Sequence, residues 1–146
     1  AAVRRCLDAP HLDVVSIGIR NVSKECAKYM DRNKERVRVH WARDRAKYDP
    51  VEICKPLRGR PVYLTFDLDA FDSSVMPATG TPEPGGLFWD DVMPILTEVA
   101  KVAKIVGADV VELAPQEGMH GADFVAARLA YRILSFALLG APKPRT

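Results

Sequence analysis

Pro61-Val62-Tyr63-Leu64-Thr65-Phe66-Asp67-Leu68-Asp69 is the stretch from which the rest of the chain can be read. Val62 to Phe66 are all residues that suit a pleated, half-buried surface, which predicts a strand over Pro61–Asp67. That strand runs directly into acid. In open α/β sheets, ligands sit beyond the carboxyl ends of the strands. If the strand continued, Asp67 and Asp69 would point to one face. Two carboxylates held that close repel each other and shift in pKa unless a cation lies between them. Hard oxygen donors of this kind suit Mg²⁺ or Mn²⁺. A pair of loop-capping aspartates is the alternative reading of the same motif.

Downstream, Phe88–Val106 reads as a helix, with Val92, Ile95, Val99, Val102 and Val106 on one stripe. Pro94 must then fall near its first turn, and Gly107 supplies the stop. Ala108–Leu113 reads as a second apolar strand. Within it Glu112 stands among apolar neighbours, where a carboxylate calls for a cationic partner, from the protein or from a substrate. Ala114–Ala122 is expected to be a loop. Asp123 is expected to cap a last apolar helix ending before Gly140, with residues 141–146 a frayed tail. His120, just after the Glu112 strand, is placed to line a pocket or transfer a proton, against an exposed structural role. His40 reads as packing and His11 as surface.

Upstream, Ala1–Asp8 reads as the end of a helix, and His11–Arg20 holds a short buried-type strand. Asn21–Met30 is expected to be helical, capped by Asn21 or Ser23. Arg36–Trp41 alternates like an edge strand. Lys47–Arg60, with Pro50, Pro56 and Gly59, is expected to be irregular. Strands alternating with helices give an α/β class with a mostly parallel sheet.

Composition fits this class. The 146 residues are 48% hydrophobic and 27% charged, enough apolar mass for one domain or part of one and too much for disorder. No run approaches the ~18 apolar residues of a membrane span. Cys6, Cys26 and Cys54 are odd in number and widely spaced, so they form neither a disulfide framework nor a CxxC zinc site, and a reducing, cytoplasmic compartment is expected. Residues 1–60 carry 15 basic and 8 acidic side chains, and residues 61–146 carry 6 and 11. The basic residues are scattered without aromatic interleaving, so they read as a solvated face or subunit contact rather than a nucleic-acid surface.

Taken together, Thr65-Phe-Asp-Leu-Asp-Ala-Phe-Asp72, Ala78-Thr-Gly-Thr-Pro82, Gly85-Gly-Leu87 and Asp109-Val-Val-Glu-Leu-Ala-Pro115, with Ile17-Gly-Ile-Arg20 upstream, resemble the C-terminal half of the arginase–agmatinase (ureohydrolase) family. The resemblance covers nearly the whole chain. It implies a three-layer α/β/α fold around a parallel sheet and hydrolysis of a guanidino compound to urea and an amine at a two-manganese site. By the same resemblance Asp67 would bridge both Mn²⁺ ions and Asp69 would be a terminal ligand of one. Glu112 would pair with the substrate guanidinium, and Thr81 would lie beside it. Asp72 is followed by Ser73 where the family usually has proline, a loop change that leaves the ligands alone.

The family's Asp-x-His-x-Asp and Gly-Gly-Asp-His motifs are absent from these 146 residues. Residues 1–140 are therefore expected to be the C-terminal half of a ureohydrolase domain, completed by an N-terminal half or a partner chain, in a homo-oligomer. Glu112-Leu-Ala-Pro115 resembles agmatinases, so agmatine is the expected substrate. The alternatives are an arginase or other guanidino-acid amidinohydrolase, and a non-catalytic scaffold of the same family. A dehalogenase-type Mg²⁺ phosphatase, which also uses a strand-end DxD, fits poorly because Phe71 stands where its pattern wants Thr or Val. Neither a nucleic acid nor a membrane is expected as partner.

Overall fold

The computed structural model describes residues 2–141. Two parallel strand pairs organise them. β1 (Val14–Ile19) pairs with β2 (Val37–Trp41), and β3 (Pro61–Asp67) pairs with β4 (Lys104–Val111). Helix α1 (Ala2–Cys6) precedes β1, and α2 (Lys24–Arg32) crosses from β1 to β2 with Ser23 as its cap, its hydroxyl accepting the Cys26 N–H at 3.1 Å. Every described pairing is parallel, as the alternation of strand and helix required.

The segment expected to be irregular is partly helical. α3 (Pro50–Cys54) starts on a proline that needs no N–H there, and the Asp49 carboxylate accepts from the Val51 N–H at 2.9 Å. A short 3-10 turn over Lys55–Leu57 then leads towards β3.

The helix expected over Phe88–Val106 is shorter. α4 spans Trp89–Val102, and β4 begins at Lys104. Val106 and Gly107, read as stripe and stop, both lie inside β4. The valine run 99–106 serves a helix and then a strand, and periodicity alone cannot separate them. Pairing of Pro61 with Lys104 and Val62 with Ile105 decides the boundary. Pro94 falls in the second turn of α4, on its exposed side, where water can take up the carbonyl its missing N–H leaves free. Helix α5 spans His120–Leu139, so it starts three residues before the expected cap Asp123, which becomes a first-turn acid at the positive end of the helix dipole. It ends at Gly140, as expected, in a left-handed conformation (φ 74°). The expected tail, apart from Ala141, lies outside the described residues.

One core holds these parts together. Val62, Leu64, Phe66, Ile105 and Val110 on one face of the β3–β4 pair meet Val92, Ile95 and Val99 of α4 and Ala126, Leu129 and Ile133 of α5. Leu68, Phe71 and Met76, just past β3, are among the most buried side chains. Phe71 stacks on Trp89 with centroids 6.4 Å apart. Emptying a buried Leu or Phe costs about 2–5 kcal/mol, so the chain leaving β3 is anchored by its hydrophobic residues, while Asp67 is exposed and Asp69 and Asp72 are half-buried. The other face of β3 is exposed at Tyr63, Thr65 and Asp67. There Asp109 accepts the Tyr63 hydroxyl at 2.9 Å and the Thr65 hydroxyl at 2.6 Å.

Candidate active site

The carboxyl ends of β3 and β4 lie side by side, with Asp67 paired to Val111. Asp67 therefore leaves one strand next to the point where Glu112 leaves the other. β3 does not continue through Asp69. A 3-10 turn over Leu68–Ala70 follows at once, capped by Asp67, whose Oδ1 accepts the Asp69 N–H at 2.8 Å. The two aspartates are thus brought together by a tight turn, and strand alternation plays no part. The capping reading and the ligand reading are compatible, because the cap occupies only one oxygen of Asp67.

Asp67 is exposed as a residue, but partial desolvation at the strand exit pushes its carboxyl above its usual range. The Asp69 N–H and the Arg20 charge pull it down, and the neighbouring Asp69 charge pushes it up. Asp69 Oδ2 accepts the Thr81 hydroxyl, while Asp69 Oδ1 is buried and has no hydrogen-bond partner. A buried carboxylate oxygen without a donor is costly unless a cation answers it. Asp67 and Asp69 therefore fit a hard divalent cation, with Oδ1 of Asp69 the free donor. They are a partial set: among the described residues no three His, Cys, Asp or Glu side chains come together.

The loop after the turn is built by Asp72. Its Oδ1 accepts from the Ser74 N–H at 3.0 Å and hydroxyl at 2.6 Å, and its Oδ2 from the N–H groups of Gly85 and Gly86 at 2.7 and 3.1 Å. These four donors hold the carboxyl down at about 2. Gly86 is required by close approach, since a Cβ there would lie 2.4 Å from the Asp72 backbone nitrogen. The knot fixes the loop that carries Thr81.

Glu112 is exposed, contrary to the expectation of a buried glutamate awaiting a partner, because β4 ends one residue earlier. Its backbone is left-handed (φ 68°), and among the described residues no other non-glycine has a positive φ. Such a conformation is costly for a glutamate and is typical of functional turns. The chain beyond it is tied back to the Thr81 loop by the Ala114 N–H, which donates to the Ala78 carbonyl at 2.9 Å. No motif in the sequence signals this strain. His120 is exposed at the start of α5, and no hydrogen bond links it to Asp67 or Asp69. His40 is half-buried in β2 against Tyr48, with burial lowering its pKa, in keeping with packing.

A parallel α/β fold with acidic residues converging at two adjacent strand exits defines a ligand site of the strand-end class. Comparison with known proteins identifies the family: residues 1–135 match the arginase family, and the chain belongs to it. It is 33% identical over 136 residues to the N(1)-aminopropylagmatine ureohydrolase of a Synechocystis strain, covering 92% of this chain and 44% of that protein. It is 34% identical to the human mitochondrial guanidino acid hydrolase, covering 100% of this chain and 42% of that protein. The solved structure of proclavaminate amidino hydrolase from Streptomyces clavuligerus superposes with a TM-score of 0.77 at 29% identity, over 92% of this chain and 47% of that one. The arginase-like α/β fold is thereby established. The chain spans less than half the length of the curated relatives it matches. No helix among the described residues is long and apolar enough to cross a membrane.

Proposed function

We propose that this chain supplies part of the active site of a manganese-dependent ureohydrolase, which converts a guanidino compound and water to urea and an amine. The observation that carries the reading is the buried, donorless Oδ1 of Asp69, set beside the half-capped Asp67 at the exit of β3. Asp67 and Asp69 would hold the manganese. The metal, when bound, supplies acidified water for attack on the guanidinium carbon. Glu112 holds the planar cation by charge-assisted hydrogen bonds, its left-handed backbone turning it out of β4 beside Asp67. Thr81 is hydrogen-bonded to Asp69 and would lie beside the guanidinium. His120, exposed at the head of α5, is the candidate for proton transfer to the departing amine.

The remaining ligands would come from a further part of the domain or from a partner chain. Exposed apolar side chains, among them Tyr63, Val106, Phe124, Tyr131 and Leu138, suit such a cover and a homo-oligomer. Agmatine is the favoured substrate on Glu112-Leu-Ala-Pro115, with arginine and guanidino acids as alternatives. Free thiols at Cys6, Cys26 and Cys54 suit a reducing, cytoplasmic setting.

The test is urea release by the complete protein, with its manganese content measured, from agmatine, arginine and a series of guanidino acids. Manganese-dependent urea from at least one is the expected result. Folded, manganese-loaded protein that releases urea from none would leave the scaffold reading in its place.

A further inference from the structure

At the end of β1 the pairing with β2 shifts register between Ile17 and Ile19. Gly18, between them, is buried and left-handed (φ 81°), with Leu87 lying 2.8 Å from where a Cβ would stand. A register break of this kind re-aims the side chains that follow. Here the residue that follows the strand is Arg20. Its guanidinium donates from Nη2 to the Asp69 carbonyl and from Nη1 to the Glu83 carbonyl. Asn21 adds a contact from its amide to the Glu83 carboxylate at 2.5 and 2.7 Å. Thr81, two residues before Glu83, donates in turn to Oδ2 of Asp69.

These contacts close a circuit: Arg20 to the Asp69 backbone, the Asp69 carboxylate to Thr81, and the Thr81 loop back through Glu83 to Arg20. We infer that Arg20 is a positioning residue for the metal site. Its fork locks the Asp69 turn and the Thr81 loop to β1, so that Thr81 occupies one oxygen of Asp69 and the other is left free. The inference rests on the metal-site reading above. Arg20 hydrogen-bonds neither the Asp67 nor the Asp69 carboxylate, and works through two backbone carbonyls. A planar guanidinium reaches both in one geometry, whereas a lysine ammonium is a point charge on a flexible stem.

The opposite ends of the same strands provide a control. Arg60, just before β3, pairs with Asp13, just before β1, at 2.5 Å. This tie also braces β1 against β3 but lies far from the strand exits. The experiment is a Mn²⁺ titration of the complete protein, read by the electron paramagnetic resonance of free Mn²⁺, on wild type, Arg20→Lys and Arg60→Lys. Thermal melting without metal is measured for each.

Removing a group that orients a ligand typically costs tenfold or more in metal affinity. Arg20→Lys, which keeps the charge, is expected to weaken Mn²⁺ binding roughly tenfold and to regain most of kcat at saturating Mn²⁺. Arg60→Lys is expected to lower the melting temperature while leaving Mn²⁺ affinity as in wild type. Wild-type Mn²⁺ affinity in Arg20→Lys overturns the inference, and so does equal weakening by both substitutions, which would mean general loosening. If wild type itself binds no Mn²⁺, the metal-site reading falls and this inference with it.

Discussion

Asp69 and Asp72 are three residues apart in one loop, and the fold treats them in opposite ways. Asp72 receives four donors, from Ser74, Gly85 and Gly86, and its carboxyl is held down at about 2. Asp69 receives one, from Thr81, and its other oxygen is buried with nothing to meet it. Asp67 is closer to Asp69 in kind, with one oxygen capping the turn and its carboxyl pushed up by partial desolvation. A carboxylate that builds structure is answered by the structure. A carboxylate that serves a ligand is held in place by the structure and left unanswered. Sequence shows three aspartates in six residues, and only the hydrogen bonds divide them by role.

The substitution that cuts deepest on the ligand side is Asp67→Asn. In the complete protein it is expected to strip manganese and remove several kcal/mol of transition-state stabilisation, roughly a thousandfold or more in kcat. Metal analysis and urea assays of the purified variant measure both. Full activity would place the metal elsewhere.

Glu112→Gln is expected to act less strongly. It keeps the shape and removes one charge-assisted contact worth ~1.5–3 kcal/mol, so kcat/KM should fall roughly ten- to a hundredfold with metal content unchanged. If the pairing tightens as the carbon becomes tetrahedral, kcat falls; if it only anchors the substrate, KM alone rises. Loss of metal in this variant would move Glu112 into the metal shell.

On the structural side the effect is smaller and appears in acid. The folded pKa of Asp72, about 2, lies below its ordinary 3.8. Its contribution to stability is therefore complete above the ordinary value and lost as pH falls through the window between the two. Asp72→Asn is expected to lower the melting temperature at neutral pH and to flatten the loss of stability between about pH 4 and pH 2. Melting curves across that window test it, and an unchanged acid limb would remove Asp72 from the account.

Much of the fold and the family is legible in the sequence, though the division between Asp69 and Asp72 is not. Pro61–Asp67 is a strand with the expected bounds, because Val62, Tyr63, Leu64, Thr65 and Phe66 run there with no turn-forming residue between them. The motif from Thr65 to Asp72 and the segment around Glu112 pointed to the family that the comparison then identified. What could not be read depended on contacts between distant residues. The valines at 99–106 divide between α4 and β4 because of pairing with Pro61 and Val62. The turn after Asp67 and the left-handed Glu112 are backbone events with no signature in residue type. In the sequence Arg20 reads only as part of a strand motif, since its two carbonyl partners lie 49 and 63 residues away.

The central claim is that Asp69 serves a cation while Asp72 serves the fold. Calorimetric titration of Mn²⁺ into the complete protein, comparing wild type with Asp69→Asn and Asp72→Asn, tests it most directly. The account expects Asp69→Asn to abolish tight binding and Asp72→Asn, which only loosens the loop carrying Thr81, to keep tight binding with a far smaller loss of affinity alongside its lower melting temperature. Tight binding retained in Asp69→Asn, or lost equally in both variants, would contradict it.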